Sequence, residues 1–507
     1  MQAAFLVLLP HFVAVMAQTF TTQTIAQWEV GGIDYMWDAE HTKASYIKDG
    51  QFILNNNYVA GVKVYGDQVF VTVPRWFSGV PSTLNYFKFV KGAGEFFTMK
   101  NPTLIPFPSW EGNALSAGGS SSGSSSHTSC NGLQYVQSME IDRTGTMWII
   151  DVGSINIFDS TRVNHCPPKI VLLNVGSGEQ VDEPYIFSNS VASHTTNFLN
   201  DIVIDNDRQM AYISDTSNNG GIIVYDRNKR RAQRFDHAKS MGPDLTGDIN
   251  WTIAGIHYPQ GSAGFQGTPE DAIAITPDGT RIYYGALAGL HLYSLDALIL
   301  SSFENDEENA SWSKRVAATI LDHGLKNGPS DGITFTCDNE LVFGGLTTAS
   351  VYSWDALPSS ENTQSPVVDT SQLVANDEIN MNWVDTFAWD DNGELWYTAN
   401  HLNIAFTTVP RKSSAISIFK TSGFAGSYQW STGCDKRPPA PSPSGAVSNP
   451  SKECKLYLVL MCVGFGLFAM VTCWAVGQWV YSRQQNDEHR RQSNVELNGE
   501  GLEQTFL

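Results

Sequence analysis

The sequence predicts an all-β fold: a six-bladed β-propeller, followed by a single C-terminal transmembrane helix. Six stretches of the chain share one hairpin pattern. Aromatic residues reach 11% and glycines number 43, a composition typical of β proteins with many turns. One uncharged apolar run near the C-terminus is long enough to cross a bilayer.

The repeated hairpin is a β-rich run, a polar turn and a second β-rich run. Asp-Gly, Asn-Asp and Asp-Asn turns join runs rich in Val, Ile, Phe, Tyr and Trp, which is the chemistry of β-hairpins. The six repeats are VKVYGDQVFVTV (62–73), MEIDRTGTMWIID (139–151), IVIDNDRQMAYISD (202–215), AIAITPDGTRIYYG (272–285), ITFTCDNELVFGG (333–345) and FAWDDNGELWYT (387–398).

A third β-rich run follows several of these hairpins, at 221–227, 289–295, 349–355 and 415–420. The second strands of successive repeats lie 54 to 78 residues apart, a spacing typical of propeller blades with loop insertions. Two stacked β-sandwiches are the alternative, but a repeated four-strand unit fits radial closure better.

The two ends of the chain predict the compartment. Residues 1–17 read as a signal peptide, because an apolar stretch from residue 3 ends in Val15-Met16-Ala17. The uncharged run from Leu456 to Tyr481 predicts a transmembrane helix. A polar tail of 26 residues, 482–507, follows it and argues against a GPI signal. We therefore expect a single-pass type I protein of the plasma membrane with an extracellular propeller.

The propeller is predicted to span residues 24–434, and residues 435–455 form a Pro/Ser-rich stalk. A Ser/Gly insertion lies at 116–129. Four of the seven cysteines lie in the ectodomain and allow three connectivities, of which we favour Cys130–Cys166 and Cys337–Cys434. Sequons at Asn250 and Asn309 predict glycosylation.

The net charge of -20 excludes nucleic acid as a partner, because phosphate binding needs a basic face. The tail holds three Arg and five Asp or Glu, and the leader holds neither, so residues 18–455 carry -18. This acidity favours a cationic ligand, although a solvated acidic surface is the commoner cause.

In a propeller, the start of each first strand and the loop after each second strand open onto one face around the axis. The polar residues at matching starts are Gln137, Asn200, Asp271, Asp331 and Asp385, with the neighbours Ser138, Asp201, Glu270, Ser330 and Thr386. The loops add Arg75, Trp76, Asp151, Asp215, Leu287, Thr347, Asn400 and His401. Acids, amides and aromatic groups together predict a pocket for an amine or a polar aromatic molecule.

Two alternatives compete with this ligand pocket. Asp and Asn before a strand often cap turns through their own side chains. The acids are also of the type that holds Ca²⁺, but no DxDxDG loop is present, so we expect no metal and no cofactor. Catalysis has fewer candidates: HExxH is absent, and neither GxSxG nor GxGxxG stands in its required context. His401 is the candidate general base.

Several long segments resemble the yellow / major royal jelly protein family. They are VFVTVPRWFSGVPSTLNYF (69–87), LIPFPSWEGN (104–113), SMEIDRTGTMWIIDVG (138–153), CPPKIVLLN (166–174), AYISDTSNNGGIIVYD (211–226), IYYGALAGLHLYSL (282–295), LVFGGLTTASVYSWD (341–355) and ELWYTANHL (394–402). The resemblance covers roughly residues 24–434 and implies a six-bladed propeller.

The same resemblance implies a set of functions. Yellow-type members are tied to melanin pigmentation, some resemble dopachrome-converting enzymes, and salivary members bind biogenic amines in the axial pocket. By motif position, the amine contacts of the family fall on Asp385, Thr386, Asn400 and Leu402. The stalk, span and tail depart from the usual secreted members and favour a cell-surface relative.

The sequence thus predicts a cell-surface protein that binds a small catechol or indole amine. A dopachrome tautomerase-like enzyme and an extracellular protein-interaction module are the alternatives. The C-terminal residues Thr505-Phe506-Leu507 have the form that a PDZ domain reads, although a plain solvated tail is the commoner case.

Overall fold

A computed structural model describes residues 18–89, 97–116, 130–159, 162–244, 249–259, 264–304, 309–356, 367–405 and 416–427. The chain divides into two compact units, residues 1–437 and 438–507, and the second lies wholly outside the described ranges. The predicted signal peptide, stalk, transmembrane helix and PDZ-binding C-terminus also lie outside them. Within those ranges, no helix is both long and apolar enough to cross a membrane.

Six sheets form the blades of a six-bladed β-propeller, antiparallel except for one short strand of blade 6, and each of the first five has four strands. Blade 1 contains β2 (Val62–Tyr65), β3 (Gln68–Thr72), β4 (Leu84–Lys88) and β6 (Ile105–Pro106). Blade 2 contains β7 (Val136–Ile141), β8 (Thr146–Asp151), β11 (Lys169–Asn174) and β12 (Gln180–Ile186). Blade 3 contains β13 (Leu199–Asp205), β14 (Met210–Asp215), β15 (Ile222–Asp226) and β16 (Arg231–Phe235).

Blade 4 contains β19 (Glu270–Ile275), β20 (Arg281–Ala286), β21 (His291–Asp296) and β22 (Leu321–Leu325). Blade 5 contains β23 (Ile333–Phe335), β24 (Glu340–Gly345), β25 (Ser350–Asp355) and β26 (Gln372–Asn376). Blade 6 contains β27 (Val384–Trp389), β28 (Leu395–Ala399), β29 (Ile416–Ser422), β1 (Thr21–Trp28) and β5 (Met99–Lys100). The six predicted hairpins are the innermost strand pairs of the six blades, so the repeat count is confirmed.

The ring closes within blade 6, which joins the two ends of the described chain. β1 pairs antiparallel with β29 from Thr21↔Ser422 to Trp28↔Ile416, and β5 runs parallel to β1. The innermost strands contact each other in the order β2, β7, β13, β19, β23, β27 and back to β2. The N-terminal strand therefore completes the last blade, and six inner strands surround one axis.

The connections between strands carry the remaining elements. Two short hairpins pair β9 (Ser154–Ile155) with β10 (Val163–Asn164) and β17 (Thr252–Ile253) with β18 (Ile256–His257). The helices are α1 (Lys43–Lys48), α2 (Ala238–Met241), α3 (Ala297–Leu300), α4 (Asn309–Ala317), α5 (Val367–Thr370) and α6 (Leu402–Ala405). Short 3₁₀ turns occupy Leu54–Asn56, Glu111–Asn113 and Gly264–Gly267.

Aspartates close the inner hairpins of blades 2 and 6 in the same way. Asp142 Oδ1 accepts hydrogen bonds from the backbone N–H groups of Thr144 and Thr146, and its Oδ2 accepts from Trp148 Nε1 at 3.1 Å. Asp390 repeats this pattern with Trp396 Nε1 at 3.0 Å. An Asp side chain that accepts from backbone N–H groups is the usual reason for its preference in turns. These aspartates therefore shape turns away from the axis.

One predicted disulfide is confirmed: Cys130 and Cys166 are bonded, with Cα atoms 5.8 Å apart. Cys337 is also disulfide-bonded, and its predicted partner Cys434 lies outside the described residues. The sequon residue Asn250 is exposed and accepts a hydrogen bond from Thr252 Oγ1 at 2.9 Å. Asn309 is the first residue of α4. Glycosylation at both stays a prediction.

Candidate binding site at the propeller axis

β-Bulges mark the start of the inner strand in four of the six blades. The pairing of inner and second strands shifts register between Val136 and Met139, between Leu199 and Ile202, between Glu270 and Ala272, and between Val384 and Phe387. A bulge frees residues from the ladder and re-aims their side chains, and bulges are common beside functional sites. Here the freed positions include Gln137, Asn200, Asp271 and Asp385, which the sequence had placed at the axial mouth.

These bulged residues line an axial cavity of about 750 Å³. All five strand-start residues of the sequence prediction contribute to it, since Asp331 joins the four bulged positions. The other lining residues are Trp76, Phe77, Phe158, Phe198, Thr216, Asn218, Gly264, Phe265, Gly267, Thr268, Pro269, Leu287, Trp383 and Leu402. Its volume is in the range of pockets that enclose small molecules.

Three buried aspartates, Asp271, Asp331 and Asp385, form what we call the carboxyl triad. Each accepts a hydrogen bond from a neutral donor: Asn200 Nδ2 for Asp271, Trp383 Nε1 at 2.6 Å for Asp331, and Asn400 Nδ2 for Asp385. Thr386 Oγ1 also donates to Asp385 Oδ1 at 3.0 Å. Neutral donors leave the charge of a carboxylate uncompensated.

Burial is the main cause of raised pKa values in the triad. It raises the pKa of Asp271 and of Asp331 well above the usual range, and the charge of Asp385 adds to both shifts. It also raises the pKa of Asp385, to about 6, against the lowering effect of the bonds from Asn400 and Thr386. Asp271 and Asp331 therefore hold protons near neutral pH, whereas Asp385 is largely ionised there and can pair with a cation.

The backbone at the triad is constrained. Trp383 has a positive φ of 64°, which a bulky side chain rarely adopts, and it holds the indole N–H on Asp331. Gly332 lies against the carbonyl oxygen of Asp385, where a Cβ atom would overlap it. Such strain persists only where surrounding structure imposes it, and it is commonest at functional sites.

Aromatic rings form two groups around the cavity. The first, which we call the aromatic lip, contains Trp76, Phe158 and Phe198, with ring centroids 6.2 Å apart for Trp76–Phe158 and 5.7 Å apart for Phe158–Phe198. The second contains Phe265 and Trp383, whose centroids lie 5.0 Å apart with planes at 77°. Aromatic faces attract cations and stack on aromatic ligands.

Further along the axis, a buried ion pair fills the centre of the propeller. Lys63 Nζ lies 3.1 Å from Glu140 Oε2 and donates to the carbonyl of Phe387 at 2.9 Å. With Asp201 these residues line a void of about 10 Å³. Asp201 accepts from Ser138 Oγ at 2.7 Å. The inner strands therefore leave little free space beyond the cavity.

Comparisons with known proteins identify the family of this chain. A sequence model of the family described as major royal jelly protein matches residues 134–417. The chain belongs to the major royal jelly protein family. It is 25% identical to Protein yellow of Drosophila subobscura over 430 residues, which cover 83% of this chain and 69% of that protein. It is 24% identical to Protein yellow of Drosophila melanogaster over 427 residues, covering 83% and 72%.

Among solved structures, a luciferin-regenerating enzyme is similar with a TM-score of 0.41 and 11% identity, over 72% of this chain and 91% of that one. The part of the chain matched by the major royal jelly protein model contains the whole carboxyl triad and Phe158, Phe198, Phe265 and Trp383.

The predicted ligand residues of this major royal jelly protein family member fall into two groups. Asn200, Asp271, Asp331, Asp385 and Leu402 line the cavity. Asn400 and Thr386 stand behind it as hydrogen-bond donors to Asp385, and Asp201 faces the deeper void. Asn400 and Thr386 therefore hold the side chain of Asp385 in place, and Asp201 lies further along the axis.

His401, the predicted general base, is buried and is not among the described residues that line the cavity, although Leu402 is. Its backbone N–H bonds to the carbonyl of Asn382, and burial lowers its pKa to about 4. The imidazole is therefore neutral near pH 7, and the triad lies closer to a cavity ligand than His401 does.

Three other mouth candidates hold loops together. The Arg75 guanidinium donates to the carbonyls of Val80, Pro81, Asn113, Leu133 and Gln134. Asp151 accepts from backbone N–H groups of Gln134, Tyr135 and Gly153, and Asp215 pairs with Arg234. These three residues therefore have structural roles in the loops at the axial mouth. Among the residues that the structure describes, no group of three or more His, Cys, Asp or Glu is placed to hold a metal ion.

Sequence reasoning missed most of the aromatic lining. Phe198 and Trp383 stand two positions before Asn200 and Asp385, and each comes directly before its inner strand, which begins at Leu199 or Val384. Pro269 stands likewise before Asp271. This shared position, one residue before an inner strand, was the signal available for these three. Phe158 and Phe265 come from the β9–β10 hairpin connection and a 3₁₀ turn, where no strand periodicity applies.

Proposed function

We propose that this chain binds a small aromatic amine of the catechol or indole type in its axial cavity, and that it does so at the cell surface in connection with pigment metabolism. The observation that carries the proposal is that the carboxyl triad and two groups of aromatic rings line one cavity. Carboxylates recognise an ammonium group, and aromatic faces recognise both the cation and the ring. The pigment connection rests on the family resemblance.

Calorimetry with dopamine and serotonin at pH 7.5 tests this function. We expect the wild-type chain to bind at least one of them and Asp385→Asn to weaken binding by about tenfold or more, because an isosteric amide removes the charge. Asp390→Asn is the matched control, since Asp390 acts in a hairpin turn. Binding that is the same in wild type and Asp385→Asn, or no heat with either amine, contradicts the proposal.

A second candidate function, dopachrome tautomerisation, is favoured by the unequal protonation of the triad. Asp385, with its pKa raised to about 6, is suited to take a proton from a ring carbon. Asp331, whose pKa is raised well above the usual range by burial, is suited to give a proton to the quinone oxygen. Two such transfers, each taking a proton from a ring carbon and giving one to a quinone oxygen, convert the quinone into the dihydroxyindole, so the reaction needs no oxidant or reductant.

The decay of dopachrome absorbance tests this second function. We expect Asp385→Asn to lower the rate at least a hundredfold and His401→Ala to leave it nearly unchanged, since His401 does not line the cavity. A wild-type rate no faster than buffer removes the enzymatic function and leaves amine binding open. Loss of rate in His401→Ala would instead favour the histidine as base.

The cell-surface part of the proposal rests on the sequence alone. An antibody to the propeller should stain intact cells, whereas one to residues 482–507 should stain only permeabilised cells. A tail peptide ending in Leu507 should capture a PDZ domain better than a Leu507→Asp peptide. Equal capture by both peptides would contradict the PDZ interaction without affecting the ligand.

A further inference from the structure

Phe158 is a large aromatic residue that stands at the cavity mouth while remaining 44% exposed. Scattered surface hydrophobic residues are common, but this ring lines a cavity and touches two other rings that do the same. Its neighbours in the aromatic lip, Trp76 and Phe198, are more deeply placed. Phe158 is therefore a partly exposed ring in the lining of the cavity that holds the carboxyl triad.

The protein holds Phe158 in this place through its backbone. The Phe158 N–H donates to the carbonyl of Trp76 at 3.2 Å, which ties the ring to the loop after β3. Arg162, on the same hairpin connection, donates to the carbonyl of Asn197 at 2.8 Å and to Ser154 Oγ at 3.1 Å. The exposed ring is thus anchored to blades 1, 2 and 3 together.

We propose that Phe158 is the specificity-determining residue of the axial site: its ring covers the ring of the bound amine, so the pocket prefers aromatic amines to saturated amines of the same size and charge. This inference rests on the proposed amine-binding function. It goes beyond that function by naming the residue that contacts the ring of the ligand, whereas the carboxyl triad contacts only the ammonium group. A ring over Phe158 gains stacking that a saturated ring lacks.

The test compares 2-phenylethylamine with 2-cyclohexylethylamine, which share the ethylamine group and the six-carbon ring skeleton and differ in the saturation of the ring. The full chain is titrated with each at pH 7.5 by calorimetry, and the ratio of the two dissociation constants is the readout. Phe158→Leu keeps an apolar side chain and removes the aromatic face. Phe97→Leu is the matched control, because Phe97 is 59% exposed and does not line the cavity.

We expect Phe158→Leu to lower the preference for the aromatic amine by about threefold to tenfold and Phe97→Leu to leave it unchanged. An unchanged ratio in Phe158→Leu, with both amines still bound, overturns the role of Phe158 and leaves the amine site intact. If wild type binds neither amine, the proposed function fails and the role of Phe158 fails with it. Thermal unfolding of each variant confirms that the exposed substitutions leave the fold in place.

Discussion

Asp385 connects the chemistry of the cavity to pH. Its two oxygens accept bonds from Asn400 and Thr386, and burial raises its pKa to about 6. An ammonium ligand stabilises the ionised carboxylate and so lowers that pKa, and by linkage protonation of Asp385 weakens the ligand. Proton binding and amine binding at this residue therefore oppose each other.

The pH dependence of amine affinity follows from this opposition. We expect affinity to be nearly constant above pH 7 and to fall by about tenfold for each pH unit below about 6. Calorimetry at pH 5 and pH 7.5 measures it, and Asp385→Asn should give weaker binding with a flatter profile. Equal affinity of the wild type at both pH values would contradict a carboxylate contact.

The ionisation of Asp331 should lower the stability of the fold as pH rises, whereas ionisation of most surface carboxylates raises it. Burial raises its folded-state pKa well above the ordinary 3.8, so the folded chain keeps a proton that the unfolded chain loses. The stability from this group is complete below about pH 4 and is lost as pH rises towards the folded pKa. Asp331→Asn can still accept the Trp383 N–H, so it should stabilise the fold at pH 8 by about 1–3 kcal/mol.

Urea unfolding of Asp331→Asn and wild type at pH 4 and pH 8 checks this prediction. The difference should be large at pH 8 and close to zero at pH 4. A variant less stable than wild type at pH 8 would show that the carboxylate supports the fold. The same variant should bind dopamine more weakly, because it lacks a carboxyl group that can pair with the ammonium group. Residues that a protein retains for ligand binding often lower its stability.

At the scale of single elements, the hairpins were predictable and the bulges were not. Alternating apolar residues and Asp or Asn turns mark β7–β8 and β27–β28 plainly, because these signals are local. The register shifts between Val136 and Met139 and between Val384 and Phe387 depend on the neighbouring strands, which sequence patterns do not show. Sequence reasoning thus named strand-start residues that line the cavity, but it also included neighbours such as Asp201 and Thr386, which do not line it.

The approach of β23 to β27 depends on one residue without a side chain. A Cβ atom at Gly332 would overlap the carbonyl oxygen of Asp385. We expect Gly332→Ala to destabilise the fold by about 1–3 kcal/mol and to weaken dopamine binding, because the two inner strands must separate. Urea unfolding and calorimetry measure both effects.

Gly176→Ala is the control for that substitution, since the nearest atom to a Cβ there is the Asn174 side chain at 3.4 Å. It should change stability by less than about 0.5 kcal/mol. Equal effects of the two alanine variants would show that the close approach of Gly332 to Asp385 is not required.

On the scale of the whole molecule, β1 completes blade 6 by pairing with β29 near the other end of the described chain. Repeat counting predicted six blades, but it did not reveal that the N-terminal strand pairs with the last one, since the strand Thr21–Trp28 carries no hairpin signal of its own. Ala26 pairs with Ile418 on one side and Met99 on the other. Ring closure thus rests on a strand far in sequence from its partner.

Proline substitutions test this closure. Ala26→Pro should destabilise the whole propeller by on the order of 3 kcal/mol, because proline removes a backbone donor inside the sheet. Thr21→Pro should be nearly neutral, since Thr21 is the exposed first residue of the strand. Thermal unfolding measures both, and a wild-type transition in Ala26→Pro would mean that the ring does not depend on this strand.

The location of a bound amine tests the central claim most directly. A crystal structure of the chain with dopamine should show the ammonium nitrogen within about 3 Å of a carboxylate of the triad, with the catechol ring against the aromatic lip. Dopamine density at another surface, or an empty axial cavity at a saturating concentration, would contradict the account.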